Sequence, residues 1–210
     1  MAFPVAPEAP FYQFTGDTPS DTWWGGETLQ SNGNAPATVN VLKPTNPIQQ
    51  FTYTTLAYFD TGGMGGGSIG WMAFGTGTPA GAVPTTGSAT YTALVSGSTS
   101  DGFGSIQGNA TLLFNFASAN LSGHFDPWYT DLGGGSVPLG TYDFANTVYR
   151  SGSTGFSGQL SQAGLTATGS FNGQFTGPSA QELMATWSAP YLNPESNTVS
   201  TMFGAWVGSR

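Results

Sequence analysis

Cysteine is absent from the sequence, and basic residues are scarce: the 210 residues include three lysines and arginines against 11 aspartates and glutamates. The absence of cysteine excludes disulfides, thiol catalysis and cysteine-ligated metals. Binding to nucleic acid or to an anionic membrane requires a basic surface, which Lys43, Arg150 and Arg210 cannot form against a net charge of −8. The charge would steer a basic partner protein towards the chain, or it simply keeps an aromatic-rich protein in solution.

Long hydrophobic runs are missing as well. No apolar segment approaches the ~20 residues of a membrane-spanning helix, so we expect a chain that is not membrane-spanning. The first ten residues, MAFPVAPEAP, have neither a charged n-region nor an apolar h-region, which predicts that this sequence carries no signal peptide. Serine, threonine, glycine and asparagine outnumber charged residues, and this favours a mature exported protein over a cytosolic one.

The chain is instead rich in glycine (32 residues), proline (14 residues) and aromatic side chains (14%). Glycine and proline supply turns, while threonine and aromatic residues suit half-buried strands. From residue 51 onwards, alternating segments follow one another at hairpin spacing, and none has a helical period. An antiparallel sheet of this length removes its edges most simply by closing into a barrel. Glycines inside the strands fit barrel corners and close packing beneath rings; they are Gly70, Gly123, Gly158, Gly169, Gly173 and Gly204.

The pattern therefore predicts an all-β protein with an antiparallel barrel over residues 50–210. The Pro-rich residues 1–49 are expected to form an extended segment that packs on or beside the barrel, as an irregular N-terminal extension or a small handle. Within the barrel, the stretch GSFNGQFTGPSAQELMATW (169–187) predicts a hairpin, aromatic inside and polar outside. Gly177-Pro178 supplies its tight connection. We expect Glu182 to lie on the polar face and to have a structural role.

At this hairpin the sequence resembles the transferrin-binding-protein-B-like barrels. Their penultimate hairpin carries a Gly-x-Phe-Tyr-Gly-Pro-x-Ala-x-Glu pattern, which is matched here by Gly173, Phe175, Gly177, Pro178, Ala180 and Glu182. The segments YTTLAYFD, GSATYTALVSG, ATLLFNFASANLSGHF and FGAWVG extend the resemblance over roughly residues 50–208. Thr176 replaces the usual Tyr, and Met184-Ala185 replaces a Gly pair. These departures indicate a distant branch, to which the ligand of the better-known members does not transfer.

The resemblance implies an eight-stranded antiparallel barrel, preceded in larger members by a handle-like subdomain. It also implies a noncatalytic solute-binding protein, lipid-anchored or secreted at the surface of a Gram-negative bacterium. Such a protein would capture an iron-carrying protein or haem-like cargo for an outer-membrane transporter. Two alternatives remain: a lipocalin-like binder of small hydrophobic ligands, and an outer-membrane or structural barrel with no uptake role. The many Phe and Trp side chains argue for a filled interior, and the polar strand faces argue against contact with lipid.

Candidate binding residues come from aromatic clusters that lack a strand period. In HFDPWYTDLGGGSVPLGTYDF (124–144), a proline interrupts the pattern and a glycine hinge follows, so we expect exposed loop aromatics that contact a partner. The adjacent tryptophans of WWGG form a second candidate, which could equally pack the N-terminal segment onto the barrel. The expected partner-binding residues are Trp128, Tyr129, Tyr142, Phe144, Trp23 and Trp24.

His124 is the single histidine, and Asp126 follows on the same strand face. No nucleophile accompanies this pair, so we expect no enzyme and no catalytic residue. A haem site would need an axial ligand, for which His124 and Tyr129 are the candidates. The alternative is a surface histidine beside ordinary barrel aromatics. We expect no metal site, because calcium-loop spacing is absent, and no cofactor other than haem.

Overall fold

The structure is a computed structural model that describes residues 23–28, 37–42, 51–61 and 68–210; the side chains of residues 23–28, 37 and 38 lie outside the description. These ranges contain 13 β-strands and no helix, and therefore no helix of the length and hydrophobicity that crosses a membrane. The first four strands are β1 (Trp23–Thr28), β2 (Ala37–Leu42), β3 (Thr54–Asp60) and β4 (Ile69–Gly75). The other nine are β5 (Ser88–Thr99), β6 (Gly104–Asn115), β7 (Asn120–Asp131), β8 (Ser136–Pro138), β9 (Tyr142–Tyr149), β10 (Gly155–Ser161), β11 (Gly169–Thr176), β12 (Glu182–Leu192) and β13 (Val199–Ser209).

Eight of these nine strands close into a barrel. Strands that are neighbours in sequence pair with one another from β5 to β7 and from β9 to β13, and β7 pairs with β9. The ring closes where β13 pairs with β5, with Met202 opposite Thr99 and Ser209 opposite Thr92. β8 is an extra strand on β7. The prediction of an all-β, eight-stranded antiparallel barrel is confirmed.

The barrel interior is filled by aromatic side chains. Side chains alternate between the two faces of each strand, so every second residue points inward. Trp187 packs over Gly97 and Gly204, where an added Cβ would lie 2.7 Å from the indole ring. The predicted packing of an aromatic ring over a strand glycine is therefore confirmed at Gly204. The largest fully buried rings of this interior belong to Tyr91, Phe114, Phe116, Phe125, Tyr142, Phe175, Tyr191 and Trp206.

The other sheet, in the order β1-β2-β3-β4, packs on the outside of the barrel and is called the handle. Its barrel-facing side contacts β12, β13 and β5. This contact explains why Met184, Ala205 and Val207 are buried although they point away from the barrel interior. The apolar layer between handle and barrel consists of Leu42, Phe51, Leu56, Met184, Ala205 and Val207.

The handle takes in two strands that the sequence pattern placed in the barrel. We expected the barrel to span residues 50–210, but β3 pairs with β2 and β4, and the barrel's own strands begin at Ser88. Alternation within residues 51–60 shows that the segment has two unlike faces, but it does not identify the strands that supply hydrogen-bonding neighbours. Leu56 and its neighbours on that face therefore pack on the outside of the barrel wall.

Candidate functional site

The handle is anchored to the barrel at the β11–β12 turn. The carboxylate of Glu182 accepts hydrogen bonds from the Thr52 N–H (2.6 Å), the Tyr53 N–H (2.9 Å) and the Thr54 hydroxyl (2.6 Å). The Thr54 hydroxyl also lies 2.8 Å from that of Thr176. The expectation that Glu182 lies on an exposed polar face is wrong, because the handle covers it and leaves it 4% exposed. Its contacts are nevertheless structural, as predicted.

The turn itself has the backbone geometry that anchoring needs. Gly177 has a φ of 81°, in the left-handed region that favours glycine. A Cβ there would lie 2.6 Å from the ring of Tyr53, so glycine lets the handle approach closely. The Gly177 N–H donates to the Thr76 carbonyl, and the Thr78 hydroxyl donates to the Gly177 carbonyl. The Gly-Pro segment therefore joins the handle, the linker that follows it and the barrel.

At the opposite end of this contact, handle and barrel separate and leave a cleft of about 600 Å³. The antiparallel register places this cleft at the end of the barrel where β5 ends and β6 begins. The handle wall comes from the ends of three strands, whose lining residues are Asn40, Tyr58, Asp60, Ile69 and Trp71. The cleft therefore has one wall from each sheet, and its shape depends on how the two are held together.

The handle wall is an ordered aromatic pair beside a carboxylate. The Trp71 indole N–H donates to the Ser98 hydroxyl on β5 (2.9 Å), which fixes the indole against the barrel. The ring centroids of Tyr58 and Trp71 lie 5.0 Å apart at an interplanar angle of 50°. The Tyr58 hydroxyl donates to Asp60 Oδ2 at 3.4 Å. Burial, and then the Asp60 carboxylate, raise the pKa of Tyr58, so this phenol stays protonated as a donor.

The barrel wall is polar, and large apolar side chains project at its rim. Ser105 and Gln107 point outward from β6 and line the cleft. Leu132, in the β7–β8 turn, is 80% exposed, and Phe103, in the β5–β6 turn, is 60% exposed. Trp128 on β7 lies directly opposite Gln107 across the strand pair and is 47% exposed. Exposed apolar side chains that cluster at one rim are typical of an interaction surface.

The cleft is acidic. Among the described residues that line it, Asp60 is the one that carries a charge. The register places the two described arginines at the opposite end of the barrel, Arg150 after β9 and Arg210 after β13. The Arg210 guanidinium donates there to the Ser179 carbonyl. Lys43 lies outside the described residues.

Three of the predicted partner-binding aromatics do not lie on an external surface. Tyr129 is 2% exposed and Tyr142 is fully buried, while Phe144 is partly buried against the barrel core. The Tyr129 hydroxyl donates to Glu195 (2.7 Å), and the Tyr142 hydroxyl donates to the Pro190 carbonyl (2.7 Å). The expectation of an exposed loop is wrong here, because residues 120–131 and 142–149 form strands whose alternate side chains point inward.

The two candidate haem ligands lie on opposite faces of β7. His124 is on the outside, 44% exposed, with Nε2 3.4 Å from Asp126 Oδ2. Tyr129 is inside, and its hydroxyl is paired with Glu195. The two side chains therefore cannot contribute to one pocket. Haem binding itself stays a prediction that no contact in the structure tests.

The backbones of Trp23 and Trp24 belong to β1, but their side chains lie outside the described part of the chain, so their predicted role is untested. Within the described ranges, no three His, Asp or Glu side chains converge in a way that could hold a metal ion.

The sequence alone did not predict the residues that line the cleft. The alternation of FTYTTLAYFD places Leu56, Tyr58 and Asp60 on one face, a signal that an aromatic residue and a carboxylate share a strand end. The alternation does not show that this strand separates from the barrel wall at Tyr58, so that Tyr58 and Asp60 line a cleft. No protein-family model matches this chain, and no curated protein matches it either.

Proposed function

We propose that this chain is a noncatalytic capture protein that acts at the cell surface or in secreted form and binds a partner protein at the cleft between handle and barrel. The observation that carries the proposal is the ordered Tyr58–Trp71 pair inside a cleft whose rim exposes Phe103 and Leu132. Tryptophan and tyrosine are enriched among the few residues whose truncation costs most of the binding energy in protein interfaces. Because Ser98 fixes Trp71 before binding, little side-chain entropy is lost on association.

The barrel wall gives less support to the alternatives. A lipocalin-like binder needs an open interior, whereas aromatic rings occupy this one. A membrane-spanning barrel needs an apolar band on its outer face. Apart from Leu113, the exposed outward-facing residues of β6 and β11 are polar instead and include Ser105, Gln107, Asn109, Ser170, Asn172 and Gln174.

The biological setting rests on the resemblance to transferrin-binding-protein-B-like barrels. A barrel that carries a handle agrees with that resemblance. The proposal therefore extends to the surface of a Gram-negative bacterium, with a lipid-anchored or released chain that passes an iron-related cargo to an outer-membrane transporter. A protein cargo has more support than haem, because His124 and Tyr129 do not face a common pocket.

Site-specific crosslinking tests the proposed function. A photo-crosslinking amino acid is placed at Ser105, which lines the cleft, and in a matched variant at Leu113, which lies on the same outer face of β6 about 26 Å away. The chains are exposed to fluids in which the source bacterium grows. The crosslinked protein is identified by mass spectrometry, purified and titrated against the unmodified chain.

Support requires a single partner that crosslinks from position 105 and not from position 113, and a purified complex that Ser105→Arg weakens at least about tenfold while Leu113→Arg does not. Equal crosslinking from both positions, or equal affinity of both arginine variants, would overturn the cleft assignment. Haemin is titrated in parallel. A saturable Soret shift that His124→Ala abolishes would replace the protein cargo by haem.

A further inference from the structure

The chemistry of the cleft indicates what the partner presents to it, on the basis of the proposed function. We propose that the partner inserts a positively charged side chain, arginine or lysine, between the Asp60 carboxylate and the rings of Tyr58 and Trp71. The cleft, of about 600 Å³, falls within the range of about 300–1,000 Å³ typical of ligand pockets. It therefore has room for one long side chain together with its flanking backbone.

A cation fits this lining better than an anion or an apolar group. Aromatic faces attract arginine and lysine, and the attraction increases when the pair is shielded from water. An anion would meet Asp60 with no described positive group in the cleft to offset the repulsion. A purely apolar group would bury the carboxylate without a charged partner, which costs free energy. A cation satisfies the carboxylate and both rings at once.

The rim strengthens the preference for positive charge. Asp101 precedes the cleft residue Gly102, and Asp131 precedes the cleft residue Leu132. Their carboxylates are held in place by their own turns: Asp101 accepts from the Phe103 N–H (3.1 Å) and Asp131 from the Gly135 N–H (2.9 Å). Fixed negative charges around an opening raise the local concentration of cations and the rate of encounter. The described arginines lie at the other end of the barrel and do not offset this field.

A peptide titration on the full chain tests the assignment. The probe is acetyl-Gly-Gly-Arg-Gly-Gly-amide, and the matched control peptide carries citrulline, which has nearly the same shape without the charge. Binding is followed through the ¹H–¹⁵N signal of the Trp71 indole, assigned by its loss in Trp71→Phe. We expect a saturable shift with the arginine peptide, and about five- to tenfold weaker binding of the citrulline peptide.

Two charge variants separate a local effect from the net charge of the protein. Asp60→Asn should weaken arginine-peptide binding about five- to tenfold. Asp143→Asn removes the same charge from an exposed position of β9 and should change the affinity less than about twofold. Equal binding of the two peptides, or equal effects of the two variants, would overturn the proposal. If Asp60→Asn disrupts the handle, the comparison of arginine and citrulline on the unmodified chain gives the same decision.

The outcomes distinguish this inference from the proposed function. If the purified partner crosslinks at position 105 while the arginine and citrulline peptides behave alike, the cationic contact is wrong and the docking surface stands. If neither the partner nor the arginine peptide engages the cleft, both proposals fail.

Discussion

Replacing Glu182 by glutamine is expected to loosen the handle from the barrel, although the side chain keeps its shape. All three partners of the carboxylate are donors: the N–H groups of Thr52 and Tyr53 and the hydroxyl of Thr54. Oε1 serves Thr52, and Oε2 serves the other two. Glutamine offers one acceptor oxygen and one NH₂ group, so in either orientation the NH₂ faces a donor.

The magnitude follows from the hydrogen bonds that the amide cannot accept. Hydrogen bonds to a charged group contribute roughly 1.5–3 kcal/mol each, and a buried donor left without an acceptor costs about 1–3 kcal/mol. The amide forgoes one or two of the three bonds around a side chain that is 4% exposed. We therefore expect a loss of about 2–4 kcal/mol, which in a chain of this size corresponds to a fall of Tm on the order of 10 °C.

Thermal unfolding and amide hydrogen exchange measure the effect together. The Thr52 amide or the Tyr53 amide should exchange faster in Glu182→Gln, because the single oxygen of glutamine can take the place of Oε1 or of Oε2 but not of both. Glu195→Gln is the matched control, because Glu195 is exposed and accepts one hydrogen bond, from the Tyr129 hydroxyl. This substitution should lower the free energy of unfolding by less than about 1 kcal/mol. An unchanged Tm together with unchanged exchange at both amides would show that the Glu182 carboxylate does not anchor the handle.

Further expected outcomes concern the barrel core, alkaline pH and the β7 surface. Gly204→Ala should lower the free energy of unfolding by at least about 1–3 kcal/mol, because the new Cβ would lie 2.1 Å from the Ser96 carbonyl oxygen. Gly77→Ala, which meets no atom within 4 Å, should change it by less than about 0.5 kcal/mol; denaturant titration compares the two. Burial raises the pKa of Tyr91 to about 12 and also raises the pKa of Tyr142, whereas tyrosine in the unfolded chain titrates near about 10. The stability that these phenols contribute is thus fully present below pH ~10 and is lost as the pH rises through their folded pKa values. If replacing Tyr91 or Tyr142 by phenylalanine removes tyrosinate absorbance that appears near pH ~10 without unfolding, this assignment is wrong. Trp128→Ala should weaken partner binding and leave Tm unchanged. Tyr129→Ala should lower the free energy of unfolding by about 3–5 kcal/mol, because this ring is buried. Similar Tm values for the two variants would refute the assignment of Trp128 and Tyr129 to opposite faces of β7.

The sequence predicts the barrel well because each hairpin carries its own evidence. Strict alternation in GSFNGQFTG places Phe171 and Phe175 inside, and both are buried. Alternation does not predict the strand where a proline interrupts the pattern. Pro127 lies within β7, opposite Gly108, at a stretch where β7 has no pairing with β9. A proline is tolerated where no ladder hydrogen bond is required of its nitrogen, so it does not end the strand.

The sequence does indicate which barrel strands the handle covers, through continuous apolar runs rather than through alternation. The runs Ala93-Leu94-Val95 and Ala205-Trp206-Val207 are continuously apolar, which is typical of strands covered on both faces. Trp206 faces the barrel core, while Ala205 and Val207 face the handle. The runs indicate that something covers these strands, but not that β3 and β4 supply the cover. The cleft depends on that pairing, so Tyr58, Asp60 and Trp71 could not be brought together from the sequence.

The positions of the anchor and the cleft suggest that the two are coupled. Glu182 lies opposite Ser209, which in turn pairs with Thr92, whereas Trp71 is fixed to Ser98 on the same strand β5. Six residues of strand separate the two points, a distance of about 20 Å. Since the barrel is filled with interlocking rings, we expect it to be the rigid wall of the cleft and the handle to be the wall that shifts when its anchor is lost. Loss of the Glu182 anchor should therefore alter the Trp71 indole signal at temperatures where the barrel is still folded. If that signal stays unchanged in Glu182→Gln until the barrel unfolds, the contacts along β5 alone determine the shape of the cleft.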